Sequence, residues 1–210
     1  MCRLFDRVFI GIDLGISLKR KSTGIAYLVE KNRKPWVEAP PEHVISEDTL
    51  LYSIITRISE NFSFVVIAID APLSRPEYGN LRECEKQLRR YGVACYPSGA
   101  EWVSKWVDKA IRLKDWAEKQ LGAEVIEVYP YAARLNIGVK KKTRYGRGII
   151  QNALNTWICG LRAITKGKIL SDDELDAVLS AYIAYLETKG NALRIKGKDG
   201  AITIPQGFLF

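Results

Sequence analysis

Asp13 and Asp70 each close an apolar run, Val8-Phe-Ile-Gly-Ile-Asp13 and Phe64-Val-Val-Ile-Ala-Ile-Asp70. Short runs of β-branched and aromatic residues read as core strands. Ligand sites in open α/β sheets gather outside the carboxyl ends of such strands. An ionised aspartate there is costly without a partner. The alternative for either residue alone is a turn-capping carboxylate bonded to nearby backbone; the recurrence of the pattern favours a shared site. A third source of acid is Ser171-Asp-Asp-Glu-Leu-Asp176, where Ser171 and Glu174 make a capping box. Acids in the first helical turn suit the macrodipole, but Asp176 lies beyond that turn. At about 100° per residue, Asp172 and Asp176 share one flank of the stripe Leu175, Val178, Leu179, Tyr182, Ile183 and Leu186. Asp173 is rotated further toward solvent, and spacing leaves open which of Asp172 and Asp173 is the second acid of this helix. Glu127, inside Glu124-Val-Ile-Glu-Val, is a further candidate ligand or general base; its alternative is an ion pair with Arg134 or another basic side chain.

Carboxylates sharing a crevice push one another's pKa values up, and divalent cations relieve that repulsion. An all-oxygen site suits Mg²⁺ or Mn²⁺. Two such ions can activate water and stabilise the leaving oxygen in phosphodiester cleavage. The candidate catalytic residues are therefore Asp13, Asp70, Glu127, Asp173 and Asp176, and the candidate metal ligands Asp13, Asp70, Asp172, Asp173 and Asp176.

The chain carries a formal net charge of +8, which favours anionic partners and nucleic acid first. The excess is clustered at Lys19-Arg20-Lys21 and at Lys140-Lys141-Lys142 with Arg144 and Arg147; the alternative for either cluster is a solvated surface. The one histidine, His43, sits in a Pro-rich connection, which disfavours serine or cysteine hydrolase chemistry. Cys2, Cys84, Cys95 and Cys159 show no CxxC spacing and read as reduced, mostly buried thiols. The longest apolar run, Phe64 to Ile69, is too short for a bilayer, and Asp6 and Arg7 interrupt any leader-like pattern, so a cytoplasmic protein without membrane contact is expected.

The elements that must position the acids follow from the pattern. A strand ending at Asp13, a second over Gly24 to Val29 and a weaker third at Trp36-Val37 form a meander. Ser46 reads as an N-cap before a helix carrying Leu50, Leu51, Ile54, Ile55 and Ile58, which feeds the central strand ending at Asp70. Helices are expected over about 80–91, 99–121, 149–164 and 172–189, a strand over 124–129 ended by Pro130, and a closing hairpin over about 192–205. The fold class is α/β: an N-terminal antiparallel meander plus parallel strands in one mixed sheet, helices on both faces. One domain over 1–210 is expected, with a helical insertion at about 76–121.

Gly11-Ile-Asp13-Leu-Gly15 followed by Ser22-Thr-Gly24-Ile-Ala resembles the first hairpin of ribonuclease H-like proteins, including the Holliday-junction resolvases. Asp173 and Asp176, with Ala177, resemble the paired acids opening the resolvases' last helix; the chain departs from them at Asp70, where they carry a glutamate. It is also similar to the predicted nucleases known as domain of unknown function 429. Ile69-Asp-Ala-Pro-Leu-Ser74, Arg82-Glu-Cys84-Glu85 with Leu88-Arg89 and Gly92, and Glu127-Val-Tyr-Pro130 carry that likeness. So do Asp172-Asp-Glu-Leu-Asp176-Ala and Gly200-Ala-Ile-Thr-Ile-Pro205. The resemblance implies a ribonuclease H-like fold, predicted nuclease activity, and phosphate contacts from Arg82 and Arg89, whose alternative is pairing with Glu83 or Glu85.

The sequence thus favours a divalent-metal-dependent nuclease on DNA or RNA, with Lys19, Arg20, Lys21, Arg82, Arg89, Lys140, Lys141, Lys142, Arg144 and Arg147 holding phosphates. A resolvase-like role would require a two-fold homodimer. A non-catalytic nucleic-acid-binding module is the second reading. An ATP-handling phosphotransferase of the actin and sugar-kinase type is the third; it would need a second such domain, and the chain lacks a Gly-x-x-x-x-Gly-Lys-Ser/Thr loop.

Overall fold

The computed structural model describes residues 6–15, 21–45 and 48–207. Eight strands and seven helices follow in the order β1 (Arg7–Asp13), β2 (Lys21–Lys31), β3 (Lys34–Val37), β4 (Glu42–Ile45), α1 (Asp48–Ser59), β5 (Phe64–Asp70), α2 (Glu83–Arg90), α3 (Ser104–Leu121), β6 (Glu124–Glu127), α4 (Pro130–Asn136), α5 (Arg144–Trp157), α6 (Leu161–Ile164), α7 (Asp172–Thr188), β7 (Ala192–Gly197) and β8 (Gly200–Pro205). The main sheet runs β3-β2-β1-β5-β6, with β4 also paired to β2. β2 is antiparallel to β1, while β5 and β6 run parallel to it. This is the predicted mixed α/β architecture.

The pleat sends alternate residues to opposite faces. Val8, Ile10, Ile12, Val65, Ile67 and Ile69 meet α1 and α3 on one side. On the other side the central strands present small residues, Gly11 and Ala26 beside Ala68, and α7 lies across them. A Cβ on Gly11 would collide with the Ala177 carbonyl and the Ala181 amide, and one on Gly24 with the Asp173 carbonyl. These glycines let α7 dock backbone-to-backbone on β1 and β2. Its N-terminus therefore lies over the carboxyl end of β1.

Several boundaries differ from the sequence-based expectation. The first predicted helix begins at Asp48, and Ser46, its expected cap, lies outside the described residues. His43 belongs to β4 rather than to an irregular connection; four residues behind two prolines gave no readable alternation. Residues 80–91 and 99–121 shorten to α2 and α3, the latter preceded by a 3-10 turn at Glu101–Val103. β6 stops at Glu127, and Pro130 opens a helix that was not expected, α4, at the first-turn position where proline costs no hydrogen bond. The helix expected over 149–164 is two. α5 starts earlier, at Arg144, capped by Thr143 Oγ1 accepting from the Gly146 amide. It ends at Trp157 because Cys159 adopts extended pairing with β3, donating to the Pro35 carbonyl and accepting from the Val37 amide. Of the described cysteines Cys84 is buried, whereas Cys95 and Cys159 are only half-buried; none is in a disulfide. The β7–β8 hairpin is a separate small sheet, joined to the end of β6 by the Tyr129 amide donating to the Thr203 carbonyl.

The close approach of α7 sets a prediction. Gly11→Ala overfills a backbone contact and is expected to destabilise the fold by about 1–3 kcal/mol in urea unfolding. Gly148→Ala, in open space on α5, is expected to stabilise it by about 0.5–1 kcal/mol. Equal effects from the two substitutions would refute the packing account.

Candidate functional site

Asp13 and Asp70 are direct register partners across the parallel β1–β5 pair, on the face covered by α7. Asp173 and Asp176 come to the same place from the first two turns of α7, and all four line one cleft of about 710 Å³. Asp172, the other candidate of this helix, turns away: its Oδ1 stands 3.6 Å from Arg147 Nε. The docked angle of α7 reverses the expectation that Asp172 shares the site flank, because contact of the Asp173 backbone with Gly24 rolls that side of the helix onto the sheet.

Glu127 lies near enough to Asp70 for its charge to raise that pKa, but it is directed elsewhere. Its register partner is Ile69 rather than Asp70, so the pleat aims it at the opposite face. There Arg82 grips it with two bonds, Nη1 to Oε2 at 2.7 Å and Nη2 to Oε1 at 2.5 Å, and the Leu73 amide donates to Oε2 at 2.8 Å. Arg82 also donates to Glu85 Oε1 from Nε at 3.1 Å and to Ser74 Oγ from Nη1 at 3.0 Å. At 1% exposure, Arg82 cannot reach a phosphate on the surface. For Glu127 the structure shows the ion-pair alternative, with Arg82 as the basic partner, and for Arg82 it shows the pairing with Glu85; Arg82 ties α2 to β6 and to the loop after β5. Arg134, the expected partner of Glu127, instead lies against Asp176, Nε 3.4 Å from Oδ1.

Lys142 enters the site itself. Its Nζ donates to Asp176 Oδ2 at 2.6 Å and to the Asp172 carbonyl at 3.3 Å. Lys140, Lys141 and Arg144 are exposed on the same segment, and Arg147 is turned to Asp172. Arg89 is exposed on α2 and donates to the Cys95 carbonyl at 3.0 Å, at the cleft edge. Lys19 and Arg20 lie outside the described residues, as does the Lys21 side chain. His43 Nε2 is 2.8 Å from Ser171 Oγ and 3.5 Å from Asp173 Oδ2, a positioning contact hidden from sequence reasoning by the unrecognised strand β4. Also missed were Tyr96, Trp106, Tyr129 and Tyr131, which line the cleft with the acids; Tyr129-Pro-Tyr131 directly after a strand was their one signal.

Burial raises the Asp13 pKa well above the ordinary value, with the Asp70 and Asp176 charges adding to the effect. Asp70 is pushed up to about 8, again first by burial and then by Asp176, against the lowering pull of Lys142. Asp173 is raised by burial and partly relieved by His43. The donor set is chemically that of a hard divalent cation site: oxygen only, carboxylate-rich and short of positive charge. Asp176 Oδ1 is buried and accepts no hydrogen bond, with the Arg134 Nε only in ion-pair range at 3.4 Å, which leaves it with acceptor capacity unused by the protein. Among the described residues, no three such side chains already converge on one ion-sized point; Lys142 holds the other Asp176 oxygen.

No family model and no curated protein sequence matches the chain. In three dimensions it is similar to T. thermophilus RuvC in complex with Holliday junction substrate, with a TM-score of 0.52 at 12% identity over 92% of this chain and 99% of that one. A second Thermus thermophilus RuvC structure superposes with a TM-score of 0.49 at 11% identity over the same shares. At such identity the first likeness is one of fold, and the fold is ribonuclease H-like, as the motifs imply. The likeness to domain of unknown function 429 rests on the motifs alone.

Two stability predictions follow. Arg82→Met leaves Glu127 and Glu85 buried without their cation and is expected to cost about 3–5 kcal/mol in urea unfolding; a loss below about 1 kcal/mol would show that the network is not holding α2 in place. The second concerns pH. Folding raises the Asp70 pKa above its ordinary 3.8, so the folded state holds that proton more tightly. The contribution of this group to stability is then fully present below about pH 4 and is lost as pH rises toward about 8. Asp70→Asn removes this ionisation. In metal-free buffer the variant should gain on the parent protein steadily between about pH 5 and 8, and a gap independent of pH would contradict the assignment.

Proposed function

We propose that this protein is a divalent-metal-dependent nuclease that hydrolyses phosphodiester bonds in DNA or RNA. The observation carrying the reading is the convergence of Asp13, Asp70, Asp173 and Asp176 on one cleft at the carboxyl ends of β1 and β5. The ribonuclease H-like fold supports it, as does the similarity to a RuvC bound to Holliday junction substrate. Asp13, Asp70 and Asp176 would hold Mg²⁺ or Mn²⁺, with Asp173 beside them. Bound there, the ions supply an activated water and charge neutralisation at the leaving oxygen.

The chain's own residues do the rest. The Lys142 ammonium, already at Asp176, can exchange that contact for a phosphate oxygen entering the cleft. His43 and Ser171 fix the side of α7 from which Asp173 projects. The exposed side chains of Lys140, Lys141, Arg144 and Arg89 would hold backbone phosphates, contacts that position a strand without reading its sequence. Glu127 acts through structure, holding Arg82. A junction-resolving activity would need two copies related by a two-fold axis. Among the described residues no helix is long and apolar enough to cross a membrane.

Calorimetric titration with Mn²⁺, with and without a short DNA duplex, tests the reading. The parent protein should bind specifically, and Asp70→Asn should weaken binding by roughly tenfold or more while remaining folded. No specific binding at millimolar metal in either condition would overturn the proposal.

A further inference from the structure

The cleft that holds the acids is also lined by aromatic rings. Tyr96 comes from the loop after α2, Trp106 from α3, Tyr129 from the end of β6 and Tyr131 from α4. Two of these rings have their polar atoms committed to backbone: Trp106 Nε1 donates to the Leu14 carbonyl at 2.7 Å, and Tyr129 Oη to the Ala94 carbonyl at 2.6 Å. What they offer a ligand is ring surface. Tyr131 packs edge-on against Tyr129, centroids 5.8 Å apart, and carries the Arg134 guanidinium over its ring at 5.1 Å. At the mouth, Tyr96 is 61% exposed and Trp102 63% exposed, the two in edge contact at 5.4 Å. Large exposed aromatics beside a charged cleft are costly to leave in water and are placed where a flat apolar partner would cover them.

Resting on the nuclease reading, we propose that the substrate strand enters this cleft unpaired, with a nucleobase stacked on the Tyr96–Tyr131 wall and its phosphate turned to the carboxylates. Aromatic side chains meet bases through their faces, and this requires bases that are not stacked inside a helix. A duplex shows only base edges and backbone to its surroundings. The cleft, at about 710 Å³, has the capacity of a small-molecule site, which suits one or two nucleotides. Charge agrees with this placement: exposed Arg89 and Arg144 and the two lysines Lys140 and Lys141 supply cations for the flanking phosphates. Ring stacking is tolerant of base identity, so the site selects for single strands and not for sequence.

The test uses Asp70→Asn to suppress turnover and measures anisotropy of labelled 12-nucleotide probes of one mixed sequence, as single-stranded DNA, single-stranded RNA and DNA duplex. Single strands are expected to bind roughly tenfold tighter than duplex or better, and comparison of the DNA and RNA strands identifies the natural backbone. Adding Tyr96→Ala, at an exposed position, or Tyr131→Leu should weaken single-strand binding by roughly five- to a hundredfold, while Tyr96→Phe keeps it. Duplex binding and the Mn²⁺ affinity of the otherwise unaltered chain should not move with Tyr96→Ala. Duplex binding equal to or tighter than single-strand binding, or single-strand affinity indifferent to both ring losses, would overturn the inference. Those results alongside intact Mn²⁺ binding leave the nuclease reading standing; stacking-dependent strand binding without any metal site would overturn that reading and leave the unpaired-strand cleft.

Discussion

The structure turns on the contact between α7 and the bare backbone of β1 and β2. A helix packed on a sheet normally stands off by the length of intervening side chains. Here Gly11 and Gly24, with Ala26 and Ala68 beside them, remove that layer, and Ala177 and Ala181 answer from the helix. The helix axis is brought down until short aspartate side chains at its N-terminus reach the level of those at the strand ends. With ordinary side chains between helix and sheet, Asp173 and Asp176 would face solvent, and the acids of β1 and β5 would have no counterpart.

Two carboxylate systems lie within one strand spacing and behave differently because the pleat separates them. Beside α2, Glu127 and Glu85 have a resident cation in Arg82, with the bonds made inside the protein. That network is hydrogen-bonded within the protein, and it ties its segments together. On the α7 side, four aspartates share Lys142 and a loosely placed Arg134, and Asp176 keeps an unsatisfied oxygen. The proposed chemistry falls to the second system because it is left incomplete: an acceptor already satisfied by protein has nothing to offer a ligand.

Much of this was legible in the sequence. Strand-end aspartates, the capping box at Ser171 and the buried stripe of α7 are local patterns, and they located Asp13, Asp70 and Asp176 in one site. Side-chain direction was not legible. The 100° rule separates Asp172 from Asp173, but only the angle at which α7 docks decides which one faces the cleft, and that depends on Gly24, some 150 residues away in sequence. For Glu127 the sequence left ligand and ion-pair readings open, and a one-residue offset in the β5–β6 register, which sets it beside Ile69, turns it to Arg82. Arg82 shows that a basic residue on a charged helix need not be at the surface, because its partners come from three separate segments. The fold class survived these errors because it rests on the alternation of apolar runs rather than on any single contact.

The small core formed by Cys84, Leu88, Val93 and Ala132 with Ile195, Ile202 and Ile204 joins segments more than a hundred positions apart. α2 and its following loop cannot bury their apolar face until β7 and β8 are present, so this contact has a large loop to close. During synthesis the main sheet already has all its strands before the hairpin is made, and α2 waits. The loop bearing Tyr96 hangs between α2 and α3, so the aromatic side of the cleft acquires its final shape only after the last strands arrive. In a growing chain the acidic side is therefore assembled first, and a competent cleft is a late product of folding, formed once its C-terminal hairpin has been translated.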